Sequence, residues 1–174
     1  MKPLKRRAKQ LHYAKSHRLN DPYVVAGRKT YVIGTQDGLF PDMGGHTPHE
    51  MGGVWSHPIK VLDGFWLGLG SDLTGAAWLP PAERFETSPV GAWHVYPSVS
   101  GLEIRRETWV PMDEEAVVAT YEFQATPEYA GSRTLPVVML FRTVLQGSWL
   151  CDRIGWRDGL DEAQLLDAAG LPGG

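Results

Sequence analysis

Leu102-Glu103-Ile104-Arg105-Arg106-Glu107-Thr108-Trp109-Val110 is followed by Pro111-Met112-Asp113-Glu114-Glu115 and then by Val117-Val118-Ala119-Thr120-Tyr121-Glu122-Phe123. Two β-prone runs flank a polar, proline-led turn, which reads as a hairpin. Successive side chains of a strand point to opposite faces. Val117, Ala119, Tyr121 and Phe123 therefore share one face, and Val118, Thr120 and Glu122 the other. The same texture recurs outward from this point. Residues 91–99 alternate Trp93, Val95 and Pro97 against His94, Tyr96 and Ser98. Residues 59–69 read as a strand, and residues 23–27 and 30–35 as a pair joined through Arg28-Lys29. Residues 135–145 are apolar on both faces, which predicts a strand enclosed between layers. Many short strands, with no strongly amphipathic helix between them, predict an all-β protein built as an antiparallel β-sandwich.

Composition agrees. The chain has 174 residues, 43% hydrophobic and 21% charged, with Gly 20, Pro 13 and Trp 7. That is an ordinary globular balance rich in turn formers and aromatics. One cysteine, Cys151, excludes a disulfide scaffold. No apolar run approaches the ~20 residues of a membrane helix. Lys2, Lys5, Arg6, Arg7, Lys9, Lys15 and Arg18 crowd the first eighteen residues with no acid among them. The body beyond is acidic, which argues against a nucleic-acid-binding fold. No apolar stretch follows the first lysines, so they do not make a secretory signal, and cytoplasmic residence is the expectation.

Three segments follow. Residues 1–19 form a basic arm with a short helix expected over 4–13. Residues 20–159 form the sandwich. Residues 160–174 make a helix-compatible or linker-like tail. Within the sandwich, residues 36–58 hold eight glycines and prolines and predict a long loop without regular structure. A loop of that length rich in Trp, Met, Phe and His is expected to be functional.

Candidate chemistry concentrates there. His46, His49, Glu50 and His57 lie close together, but Pro48 interrupts His46-Thr47-Pro48-His49-Glu50, so it is not the helical zinc-protease motif. A loop zinc site stays open as a minor alternative. Ser56 and His57 are adjacent on an extended chain and point apart, so they make no dyad. Gly34-Thr35-Gln36-Asp37-Gly38 lacks the elements of a phosphate cradle. Cys151 reads as a buried, inert thiol. Asp37, Asp42, Glu50 and Asp63 could pair across a glycosidic bond or serve as turn caps. Phe40, Trp55, Phe65, Trp66 and Trp78 offer flat faces for sugar rings or simply bulk for the core.

The segments Tyr31-Val32-Ile33-Gly34-Thr35-Gln36-Asp37-Gly38-Leu39-Phe40-Pro41-Asp42-Met43-Gly44-Gly45-His46 and Glu50-Met51-Gly52-Gly53-Val54-Trp55-Ser56-His57-Pro58-Ile59-Lys60-Val61-Leu62-Asp63-Gly64-Phe65-Trp66 carry a resemblance. They resemble the N-terminal region of bacterial glycogen-debranching-type and α-glucosidase-like glycoside hydrolases, which place a β-sandwich before an (α/α)6 barrel. The Glu107-Thr108-Trp109-Val110-Pro111 hairpin is similar to their sandwich strands. The resemblance implies a supersandwich-like domain, with further strands expected past Gly159. It also implies a catalytic barrel domain as partner, an α-glucan or oligosaccharide as substrate, and no cofactor or metal. The barrel supplies the catalytic acid and base in such enzymes, so this chain is expected to be a non-catalytic part, inactive alone. By the same resemblance the loop lies at the active-site rim. Phe40, Trp55 and Trp66 would then meet sugar rings, and Asp37, His46, His49, Glu50, His57 and Asp63 would meet hydroxyls. Neither nucleic acid nor membrane is an expected partner. The alternatives are a free-standing carbohydrate-binding sandwich and, less favoured, a metal enzyme built on the His loop.

Overall fold

The computed structural model describes residues 12–43, 51–129 and 134–147. Among these the regular structure is all strand, in two antiparallel sheets that pack as a sandwich and do not close into a barrel. In chain order the strands are β1 (Tyr13–Lys15), β2 (Pro22–Ala26), β3 (Thr30–Thr35), β4 (Gly53–Ser56), β5 (Ile59–Leu69), β6 (Ala77–Trp78), β7 (Arg84–Ser88), β8 (Gly91–Val99), β9 (Leu102–Trp109), β10 (Val118–Ala125) and β11 (Val137–Gly147). One sheet has the order β1-β7-β8-β9-β10. The other runs β11-β5-β4-β3-β2, with β6 paired to β5.

The register explains the core. Residues directly opposite in an antiparallel pair share a face. His94 faces Arg106, and Arg106 faces Tyr121. Tyr96 faces Ile104, and Ile104 faces Phe123. This row is the inner face of the first sheet. In the second sheet, Val25 faces Val32, Val32 faces Val54, and the three join one buried cluster with Phe65 and Phe85. A second cluster gathers Leu67, Leu69, Tyr96, Leu102 and Ile104. The sheets are fastened at one corner, where Arg28 N donates to Met112 O at 2.9 Å and Arg28 pairs with Asp113 at 2.7 Å. Gly27 allows that approach, because a Cβ there would meet Pro111 O at 2.4 Å.

The strands expected from alternation are present, and residues 30–35, 59–69 and 91–99 match to the residue. Four features differ from the expectation. The loop over residues 36–58 is interrupted by β4. Gly53 sits at φ +101°, where a Cβ would lie 2.0 Å from Leu62 O. A glycine that reads as a breaker is thus what lets β4 lie against β5. The helix expected over residues 4–13 does not include Tyr13, which begins β1 on the edge of β7; residues 4–11 lie outside the described residues, as does the tail 160–174. Neither β6 nor β7 was expected. Finally, among the described residues β11 is an edge strand rather than an enclosed one. Val137, Met139 and Phe141 face Leu69, Leu67 and Phe65, so they continue the core face. Yet Val137 is 46% exposed and Phe141 50%. Phe123 on β10, the edge of the other sheet, is likewise exposed although it faces buried Ile104.

Candidate functional site

Asp37 begins the loop after β3. Its Oδ1 accepts from Thr35 Oγ1 at 2.5 Å and from Leu39 N at 3.1 Å. Its backbone also ties the loop to its neighbours, through Leu19 O at 2.7 Å and Ala82 N at 2.6 Å. This is an aspartate turn that fixes the chain's path toward Phe40. The Phe40 ring is buried, 4.9 Å from Phe65 and 6.0 Å edge-on to Trp66. A Cβ on Gly64 would strike it, so the glycine in β5 makes its seat.

Trp55 is buried too. It stacks on Tyr31 with centroids 6.0 Å apart and planes 7° apart, and its Nε1 donates to Met51 O at 3.1 Å. Asp63 is buried between two cations. It pairs with Lys60, itself buried, and accepts from Arg142 Nε at 3.1 Å. His57 is exposed in the β4–β5 turn, where its peptide bond to Pro58 is cis. Trp66 is half-buried. His46, His49 and Glu50 lie outside the described residues. Phe40 and Trp66 are therefore together, whereas Trp55, Asp63 and His57 sit along β4, β5 and their turn. Asp37 and Asp63, the described members of the expected carboxylate set with their contacts on view, are each engaged with protein groups. Among the described residues, no three His, Cys, Asp or Glu side chains gather as a metal site would need.

The chain does assemble a polar cluster that the sequence reading did not single out. Arg106, on the inner face of β9, is 2% exposed. Its Nη1 donates to Gly38 O at 3.1 Å and its Nη2 to His94 Nδ1 at 3.2 Å. The guanidinium carbon stands 5.3 Å from the Phe65 ring centroid and 5.9 Å from those of Phe40 and Tyr96. Burial, seconded by the Arg106 charge, holds His94 well below its ordinary pKa, while the Thr35 backbone works weakly the other way. His94 is thus neutral and accepts at Nδ1. Burial likewise raises Tyr23, Tyr96 and Tyr121 above the ordinary tyrosine value. Burial opposes the Arg106 charge, but these three tyrosines keep its pKa above the usual arginine value.

A small pocket opens beside Arg106. It is lined by Leu39, Phe65, Trp66, Leu79, Tyr96 and Tyr121 among others, and has room for about one water molecule. The sequence signal for this cluster is a charge out of place. Arg106 shares its strand face with Ile104 and Thr108, where alternation calls for an uncharged side chain.

Such a cluster can hold a small polar or anionic group. Among the described residues there is no helix long and apolar enough to cross a membrane. Compared with protein-family models, with curated proteins and with solved structures, the chain matches none of them.

Proposed function

We propose that this chain is the non-catalytic N-terminal β-sandwich of a cytoplasmic glycoside hydrolase acting on α-glucans or oligosaccharides. It works against an (α/α)6 catalytic domain and lends loop residues to the rim of that domain's active site. The observation that carries the reading is the uncovered core face on the two edge strands. Val137 and Phe141 on β11 and Phe123 on β10 continue rows of buried residues, yet remain exposed. Apolar surface of that kind on a sandwich is what a tightly packed neighbouring domain covers. The burial of Phe40, Trp55 and Asp63 narrows the rim assignment. Of the described candidates, His57, Trp66 and Asp37 keep enough exposure to reach a sugar.

The test is to sequence the coding region through the Gly174 codon and beyond, then to assay the encoded protein on maltooligosaccharides and branched dextrin. The reading requires an in-frame helical region with paired carboxylates, and glucose release that the 174-residue chain alone lacks. A stop with no such region downstream, together with measurable sugar affinity of the chain alone, would instead establish a free-standing carbohydrate-binding module.

A further inference from the structure

Arg106 carries a charge into the core without a paired carboxylate among the described residues, Asp37 acting on the cluster only through Tyr96. Lys60 is as deeply buried, but it has Asp63 beside it. No carboxylate among the described residues pairs with Arg106. Its near neighbours are the Gly38 carbonyl, neutral His94, the Tyr23 and Tyr121 side chains, and the rings of Phe40, Phe65 and Tyr96. These are dipoles and ring quadrupoles. They soften the cost of an interior ion without neutralising it. Arg106 Nε has no hydrogen-bond partner at all. The adjoining pocket is lined by Arg106 together with Tyr96 and Tyr121, whose hydroxyls are protonated donors at neutral pH. Its room for about one water molecule suits a single small particle.

We propose that this pocket binds one halide ion, chloride under ordinary conditions, as the counter-ion of Arg106. The ion takes charge-assisted hydrogen bonds from the guanidinium and the tyrosine hydroxyls. It would tie β8, β9 and β10, through Tyr96, Arg106 and Tyr121, to the Gly38–Leu39 turn and β5 of the facing sheet. The inference does not depend on the glycosidase reading, because it concerns the sandwich itself.

The experiment uses the whole chain, exchanged into gluconate buffer and titrated with chloride at constant ionic strength. Melting temperature and chloride NMR line width are followed together. A ligand that binds the native state raises the melting temperature as its concentration passes its Kd. The expected result is a saturable rise with chloride or bromide, absent with gluconate or sulfate, and a broadened chloride line that bromide narrows. Tyr121→Phe keeps the ring and removes one donor, and is expected to raise the chloride Kd about tenfold. Arg106→Gln is expected to abolish the effect. Should that variant fail to fold, the bromide competition and Tyr121→Phe decide the matter on their own. Superimposed melting curves in chloride and gluconate would overturn the proposal, the pocket then holding water. Halide stabilisation untouched by Tyr121→Phe would overturn it as well, by placing the ion elsewhere.

Discussion

Trp55 and His94 illustrate how burial decides what a side chain can do. Trp55 is 6% exposed, with one face against Tyr31 and its indole N–H on the Met51 carbonyl. The resemblance to glycosidase sandwiches predicts that Trp55→Ala weakens substrate use without unfolding the domain. The packing predicts a different outcome, since truncating a buried tryptophan costs about 3–5 kcal/mol. Trp55→Ala should therefore lower the urea midpoint sharply, and equal midpoints would return the ring to a ligand role. His94 adds a pH dependence. Its folded pKa lies well below the ordinary value of 6.5, because burial and Arg106 disfavour its protonation. Above that value both folded and unfolded states are neutral at this site. Below it the unfolded chain takes up a proton that the folded chain refuses. Stability contributed here is therefore full near neutrality and lost as pH falls, with a slope of up to about 1.4 kcal/mol per pH unit. His94→Gln should lower stability at neutral pH yet flatten the acid limb, as read from urea midpoints between about pH 7 and pH 5.

At the scale of elements, the edges of the two sheets matter most. Among the described residues β10 and β11 each lack a pairing strand along one side, and both carry core-facing apolar residues into solvent. Such an edge is a template for association. The isolated chain should self-associate at micromolar concentration, as measured by light scattering on an eluting peak. Phe141→Glu places a charge on that face. It should shift the chain toward monomer with little change in melting temperature, because half-exposed Phe141 contributes little to the core. A wild-type chain that stays monodisperse would remove the argument from these edges. The strands themselves are legible where a period of two runs long enough between turns, as in β8 and β9. β4 is not legible, because four residues bounded by glycine carry no period. Nor is the edge position of β11. A run apolar on both faces fits an enclosed strand, and which side lies open depends on partners distant in sequence.

For the molecule as a whole, the candidate site was less legible than the fold for a physical reason. Aromatic rings among glycines suit a sugar surface and a core alike, and composition does not distinguish them. Phe40 is seated over Gly64 and lies within reach of the Arg106 guanidinium, contacts that pair the loop after β3 with β5 and with β9. Arg106 itself carried no signal except its misfit in an otherwise uncharged row. The proposed rim role fits His57 best, because it is exposed and stands in the turn between β4 and β5. If the proposed hydrolase is obtained with its catalytic domain, His57→Ala should lower kcat/KM for maltooligosaccharides by about two- to tenfold, the worth of one neutral hydrogen bond. The change should fall on KM if the contact is equal in ground and transition states. The melting temperature should hold, since His57 is exposed. Unchanged kinetics would take the β4–β5 turn out of the rim. Under the proposed function that result would leave the sandwich a purely structural role, with the exposed faces of β10 and β11 as its contribution.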